Sequence, residues 1–202
     1  MVIFKKKLII LILYFLTSCS SHNQNKNIKL PEKINKINEK YIAYVQINKW
    51  EVSKKISLEN CRNFSFDHNI EIIHNKEVKR LLNEIFKNID FYEYQSNSKE
   101  IKNMNYQGQI TIFQNKGSSD LHINNKLASY KMNIQSKLVI SNFKGKTFMS
   151  TIRANGFGSR ELFFSCKVNN IIDNTLTETY KEFLNTMKNN IYKGISEINK
   201  NY

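Results

Sequence analysis

The chain has 202 residues, of which 41% are hydrophobic and 24% are charged, and its formal net charge is +14. This length allows one folded domain or one domain with a tether, and the hydrophobic content excludes a chain too polar to form a core. The basic residues are scattered, without a block of five or six like charges. The charge therefore reflects either a composition rich in Lys, Asn and Ile or a selected basic patch.

The N-terminus shows the three parts of a bacterial lipoprotein signal in order. Lys5–Lys7 are basic, Leu8–Leu16 is a continuous apolar run, and Leu16-Thr17-Ser18-Cys19 matches the lipobox pattern of Leu, two small residues and Cys. A membrane-spanning helix needs about 20 apolar residues, so this run is too short for one. The resemblance implies that residues 1–18 are cleaved and that Cys19 is acylated. The alternative is an ordinary signal peptide with an incidental Cys.

Export affects the expected charge, partners and location. Removal of the three signal lysines lowers the formal charge to +11, and an exported protein does not normally meet nucleic acid. Ser20 follows Cys19, in the place of the Asp that is associated with retention at the inner membrane. We therefore expect an outer-membrane, periplasm-facing protein that is attached to the membrane through acylated Cys19.

Two further cysteines, Cys61 and Cys166, remain after Cys19. An even pair in an oxidising compartment predicts a disulfide bond between them. The alternative is two buried free thiols, because Cys is often buried without a partner.

The exported chain divides into two parts by composition. Residues 19–40 are polar, contain the single proline, Pro31, and are expected to form the lipidated N-terminus and a tether. Residues 41–202 are expected to form a single α+β periplasmic domain, which opens with a β-branched and aromatic strand at Tyr41–Ile47.

The next predicted elements are a strand at Asn69–Ile73 and a helix with Asn75 as its N-cap. This helix has an apolar stripe with helical spacing, made of Val78, Leu81, Leu82, Ile85, Phe86 and Ile89. A short strand is predicted at Phe91–Tyr94, and Gln109–Gln114 begins a β-rich stretch.

Apolar and polar residues alternate from Tyr130 to Ile140, which predicts a long strand with one packed face and one mostly solvated face. Lys144-Gly145-Lys146 predicts a hairpin turn, and Thr147–Ala154 is the returning strand. Gly156 and Gly158 are expected to break that strand.

The strongest helical pattern begins after Asn169 or Asn170. Its stripe is formed by Ile172, Leu176, Tyr180, Phe183, Met187 and Ile191. We expect this stripe to cover the apolar face of the sheet; the alternative is an exposed stripe that binds a partner helix. The tail from Lys193 to Tyr202 is polar and expected to fray. Together the patterns predict an α+β fold, an antiparallel sheet with two amphipathic helices packed on one face.

This order of elements behind a lipobox resembles small envelope lipoproteins of the YajG type and their wider relatives, the LptE-like proteins, transporter-auxiliary lipoproteins and the N-terminal domain of TolB. The residues that carry the resemblance are Asn69–Phe86, Tyr130–Ile140, and Thr147–Gly158 running into the helix from Asn170. The resemblance covers roughly residues 65–192 and implies a non-enzymatic assembly or partner-binding protein.

The sequence contains no assembled catalytic or metal-binding motif. The histidines are His22, His68, His74 and His122, and His68 and His74 are six residues apart, too far to chelate one metal from an extended strand. Asp67-His68 resembles part of a catalytic pair, but no motif places a nucleophile beside it. We therefore expect no enzymatic activity and no cofactor.

Two functions from different classes fit these features. The first is a structural or interaction component of an envelope assembly, which docks a protein partner through an open sheet face or edge. The second is an accessory of a transport system that holds a lipid or lipopolysaccharide between helices and sheet, with anionic lipid favoured by the positive charge. A packed interior with an exposed apolar patch would favour the first, and an oversized pocket the second.

Overall fold

The computed structural model describes residues 36–46, 50–57, 61, 64, 70–92, 105–124, 126–162, 166 and 168–200. The predicted signal peptide, Cys19 and most of the predicted tether lie outside these residues. The described elements, in chain order, are β1 (Ile37–Val45), β2 (Glu51–Ile56), α1 (Ile70–Ile85), β3 (Phe86–Phe91), β4 (Gly108–Ile123), β5 (Leu127–Asn142), β6 (Thr147–Glu161) and α2 (Asn169–Asn199).

The described strands form one sheet in the order β3-β1-β4-β5-β6, and β2 pairs with β4 beyond the end of β1. The α+β prediction is confirmed, but the prediction of a purely antiparallel sheet is wrong. Only β4, β5 and β6 are antiparallel, whereas β1 is parallel to β3 and β4, and β2 is parallel to β4. Parallel neighbours need a long crossover, and the chain between β1 and β3 includes α1. The alternation of apolar and polar residues along one strand does not show whether the neighbouring strand is parallel or antiparallel.

Strands β1 and β2 lie end to end along β4. β1 pairs with Gly108–Ile112 and β2 with Ser118–Ile123. Between these two stretches the pairing of β4 with β5 shifts between Phe113 and Lys116, which marks a β-bulge. The bulge therefore lies where β1 stops and β2 begins.

The inner face of the sheet is the face against which the helices pack. Alternate residues of β5 from Ala128 to Ile140 are buried, as the alternation predicts. The whole stripe of α2 from Ile172 to Ile191 is buried in the same core.

The predicted hairpin turn lies between β5 and β6. Gly145 adopts a φ of +87° in this turn, which a residue without Cβ tolerates best.

Two predictions about the end of the chain are wrong. Gly156 and Gly158 do not break the strand: both lie within β6, where an added Cβ would meet Thr179 and Thr175 of α2. The two glycines instead let the helix approach the strand closely. The tail from Lys193 does not fray at once, because α2 continues to Asn199 and buries Ile195 and Ile198.

Helix α1 begins at Ile70, so the strand predicted at Asn69–Ile73 is wrong and Asn75 is inside the helix rather than at its cap. Ile70, His74 and Val78 are spaced four residues apart and all are buried, so the helical stripe begins about two turns earlier than predicted. The helix ends at Ile85, and the chain enters β3 directly at Phe86.

The start of the first strand also differs from the prediction. β1 begins at Ile37, so residues 37–40 belong to the sheet and not to the tether. Three of these four residues, Asn38, Glu39 and Lys40, are polar and none of the four is fully buried, which explains why composition alone placed them outside the domain.

Candidate functional site

The predicted disulfide between Cys61 and Cys166 is present. Their Cα atoms are 5.5 Å apart, the usual spacing for such a bond. The bond ties the segment before α1 to the segment before α2. Cys19, His22, Asp67 and His68 lie outside the described residues, so the predicted lipidation site has no structural description.

The other two histidines, His74 and His122, lie within the described residues and have different surroundings. His122 is exposed at the end of β4, while His74 is only 4% exposed, on the face of α1 that is turned to the core. They lie on different elements, and the described residues include no group of three or more His, Cys, Asp or Glu that could hold a metal ion.

A buried polar cluster surrounds His74 on the inner side of the bulge. Its imidazole Nε2 is 3.4 Å from the Ser136 hydroxyl of β5, and its ring makes an edge contact with Trp50 at 5.4 Å between centroids. The Asn115 side chain of the bulge donates a hydrogen bond to the Gln46 carbonyl and lies beside the His74 imidazole. The bulge therefore supplies one of the polar side chains that are buried in the interior.

The cluster keeps His74 neutral. Burial lowers the pKa of His74 from 6.5 to about 4, and the neighbouring Asn115 side chain, which raises the pKa, opposes this shift only in part. Within the described part of the chain, His74 Nδ1 and Trp50 Nε1 are buried without a hydrogen-bond partner. Trp50 lies over Gly117, where its indole occupies the place that a Cβ would take.

The Ser136–His74 pair has the residue types of a nucleophile and its base but lacks the geometry for catalysis. Ser136 is fully buried, so no substrate reaches its hydroxyl. Glu77, one turn along α1, is paired with Arg80. No carboxylate orients His74 Nδ1 in the described structure. The pair therefore acts in packing, and no sequence pattern indicates it because Ser136 and His74 are 62 positions apart.

The outer face of β4, β5 and β6, opposite the helices, carries both polar and apolar side chains and is not covered by α1 or α2. Residues directly opposite each other on neighbouring strands project to the same side, so the strand register defines rows across this face. One row is Lys116, Gln135 and Arg153, and the next is Ser118, Asn133 and Asn155. Beyond these rows lie two exposed apolar side chains of β6, Phe157 at 69% and Met149 at 57% exposure.

These two rows line a cleft of about 440 Å³, here called the outer cleft. Its polar lining residues are Lys116, Ser118, Asn133, Gln135, Arg153 and Asn155, with Glu51 of β2 at the rim. Asn133 donates a 2.9 Å hydrogen bond to the Ser118 hydroxyl, which fixes part of the floor. The sequence alternation assigned Asn133 and Gln135 to the solvated face of their strand, but not their neighbours on β4 and β6.

A second groove, of about 540 Å³, runs between β6 and the polar side of α2. It is lined by Asn155–Phe157 and by helix residues that include Glu178, Lys181 and Glu182. β6 has one strand neighbour, β5, in the described sheet, so this groove follows a sheet edge.

Comparisons with known proteins give a fold but no family. No family model matches the chain, and no curated protein matches it. A neuraminyllactose-binding hemagglutinin homolog from Helicobacter pylori has a similar structure, with a TM-score of 0.52, 9% identity, and coverage of 85% of this chain and 95% of that chain. That likeness shows a shared fold.

Two further solved structures are less similar. A DUF330 protein from Xanthomonas campestris has a TM-score of 0.48 at 8% identity, over 86% of this chain and 98% of that chain. A minor lipoprotein from Acinetobacter baumannii has a TM-score of 0.35 at 7% identity, over 74% and 96%. At these TM-scores neither carries an argument about this chain. Among the described helices, none has the length and apolar character to span a membrane.

Proposed function

We propose that this chain is a lipid-anchored protein of the bacterial cell envelope that acts without catalysis, as an interaction component whose binding surface is the outer face of the sheet. One observation carries the proposal: in the described structure α1 and α2 cover the inner face of the sheet, while the outer face of β4, β5 and β6 exposes Phe157 and Met149. A sheet face that is solvated, yet carries large apolar side chains and a cleft, is suited to contact with a partner.

The interior argues against the alternative of a lipid held between helices and sheet. Tyr130, Tyr180, Phe183 and Met187 fill the space between α2 and the sheet, and each is fully buried. An acyl chain would have to displace these side chains, at a cost comparable to overpacking a core. The outer face needs no such rearrangement.

Anchoring through Cys19 rests on the N-terminal sequence. Replacement of Cys19 by Ala should leave unprocessed precursor without a palmitate label, because the signal peptidase of lipoproteins acts before an acylated Cys. Metabolic labelling and membrane fractionation measure this directly. A Cys19→Ala protein that is still labelled and membrane-anchored would contradict the lipoprotein proposal. Fractionation of the wild type tests the proposed outer-membrane location.

The binding surface is tested by photo-crosslinking in intact cells. A photo-reactive residue at position 157 samples the outer face, and one at position 72 samples the solvent side of α1, where Ile72 is also strongly exposed at 59%. We expect an adduct from position 157 and none from position 72. Equal adducts from both, or an adduct from position 72 alone, would exclude the outer face as the binding surface.

A further inference from the structure

The outer cleft combines two cations with a floor of neutral polar groups. Lys116 and Arg153 stand at the two ends of one register row, with Gln135 between them. Two strand spacings separate their Cα atoms by about 10 Å, so both long side chains reach the space above Gln135. In the described structure neither cation forms an ion pair, so both charges are available to a ligand.

The rest of the lining fits hydroxyl groups better than further charge. Ser118, Asn133, Gln135 and Asn155 offer both donors and acceptors, and the Asn133–Ser118 hydrogen bond holds one pair in place. Polyhydroxylated molecules need this mixture, because each hydroxyl both donates and accepts. Phe157 follows two residues after Asn155 on the same face and is 69% exposed, so it presents an apolar surface beside the polar floor.

Glu51 at the rim limits the charge of the ligand. With Lys116 and Arg153 it leaves the cleft a net charge of one positive unit, which suits a single carboxylate and disfavours a polyanion. The Arg guanidinium is a planar donor fork that matches a carboxylate. The volume of about 440 Å³ is within the range of small-ligand sites.

We propose that the outer cleft binds an acidic saccharide: its carboxylate lies between Lys116 and Arg153, and its hydroxyls bond the amide and hydroxyl side chains of the floor. This proposal rests on the proposed function and names the chemistry of the partner that meets the outer face. The positive charge of the cleft favours an acidic saccharide over a neutral sugar. The neutral polar floor favours it over a simple anion, which has no hydroxyl groups to bond.

NMR titration of the full chain tests the proposal with a matched pair of probes, the methyl glycoside of glucuronic acid and methyl glucoside. The two differ in the carboxylate alone. We expect the acidic sugar to bind at least about tenfold more tightly, because a hydrogen bond to an ionised group is stronger than one to a neutral group. Equal binding of both sugars, or no binding of the acidic sugar, would overturn the proposal.

A matched pair of variants locates the binding. Arg153→Gln removes a cleft cation, and Arg160→Gln makes the same change on the same strand outside the cleft. We expect Arg153→Gln to weaken binding of the acidic sugar about tenfold or more, and Arg160→Gln to change it less than about twofold. Loss of binding in both, or in neither, would show that the sugar does not lie in the outer cleft.

Inorganic phosphate serves as the third probe. If phosphate displaces the acidic sugar at equal concentration, the cleft is an anion site only, and the saccharide assignment is wrong. The proposed function is tested independently, because crosslinking from position 157 and labelling of Cys19 do not depend on sugar binding.

Discussion

His74 shows how a single side chain couples this core to pH. The imidazole is enclosed by side chains from three elements, Asn115 of β4, Ser136 of β5 and Phe183 of α2, and by Trp50, which precedes β2. Glu77 and Arg80 on the same helix are paired with each other and do not contribute an unpaired charge near the ring. No carboxylate of the described residues hydrogen-bonds the His74 ring, so protonation would place a positive charge in the core without a direct counter-charge.

We predict that the free energy of unfolding falls as the pH is lowered from about 6.5 to about 4. In this window the unfolded chain binds a proton at His74, whose ordinary pKa is 6.5, while the folded chain does not until about pH 4. The unfolded state binds more protons, so acid favours it, by up to about 3 kcal/mol. Urea unfolding at pH 7 and pH 4.5, followed by the fluorescence of the single tryptophan, Trp50, measures the effect.

Two variants isolate this contribution. His74→Met removes the titrating group and should flatten the pH dependence in this window, whereas His122→Gln changes an exposed histidine and should leave it as in the wild type. An unchanged slope in His74→Met would show that other groups cause the acid sensitivity.

At the scale of the elements, the close contact between α2 and β6 depends on two residues of β6 without a Cβ, Gly156 and Gly158. Gly156→Ala should lower the free energy of unfolding by about 1–3 kcal/mol, because the new Cβ meets the Thr179 hydroxyl and comes within 2.9 Å of Thr175 Cγ2. Thermal denaturation measures the loss. Ser159→Ala, on the outer side of the same strand, should be nearly neutral.

A double variant distinguishes the helix contact from an effect on the strand alone. Thr179→Ala removes the atom nearest to the new Cβ, so the combination of Gly156→Ala with Thr179→Ala should lose less stability than the two single losses together. Strict additivity would mean that the glycine is needed for some reason other than the approach of α2.

The elements that the sequence predicted well are those with a long, regular period. The stripe of α2 and the alternation of β5 are both long enough to identify their type and their buried face. The misassignments have a common cause: Ile70–Ile73 reads equally well as a strand or as the first turn of a helix, and Gly156 and Gly158 look like breaks until the helix above them is known. Short patterns record local preference, and tertiary contacts decide between the alternatives.

The candidate site was likewise predictable only in part. The solvated face of β5 was predictable from its alternation. Lys116 and Arg153, however, lie beside Gln135 only because of the register of three strands, and a bulge in β4 shifts that register. The polar cluster of His74, Ser136 and Asn115 likewise joins three separate elements. In contrast, the pairing of Cys61 with Cys166 was predictable, because the expected export of the chain favours a disulfide and two cysteines leave one possible partner for each.

At the scale of the molecule, the disulfide encloses α1 and the strands from β3 to β6 in one loop, since it joins residues that are 105 positions apart. Its removal should destabilise the domain by up to about 4.7 kcal/mol, the chain-entropy value for a loop of this size. We expect a lower urea midpoint for the reduced protein and for the Cys61→Ala, Cys166→Ala double variant.

Reductant itself provides the control for this prediction. It should shift the urea midpoint of the wild type and leave that of the double variant unchanged, since the variant has no bond to reduce. If the reduced and oxidised wild-type proteins unfold at the same urea concentration, the bond does not stabilise the fold.

The position of β1 determines how the domain would respond to a pulling force. The strand that follows the proposed tether is an interior strand of the sheet, hydrogen-bonded to β3 on one side and to β4 on the other. Tension from an anchored N-terminus acts along β1 and strains both ladders in shear, so that many hydrogen bonds must break together rather than one after another. The envelope could therefore move relative to a bound partner without peeling the first strand from the sheet.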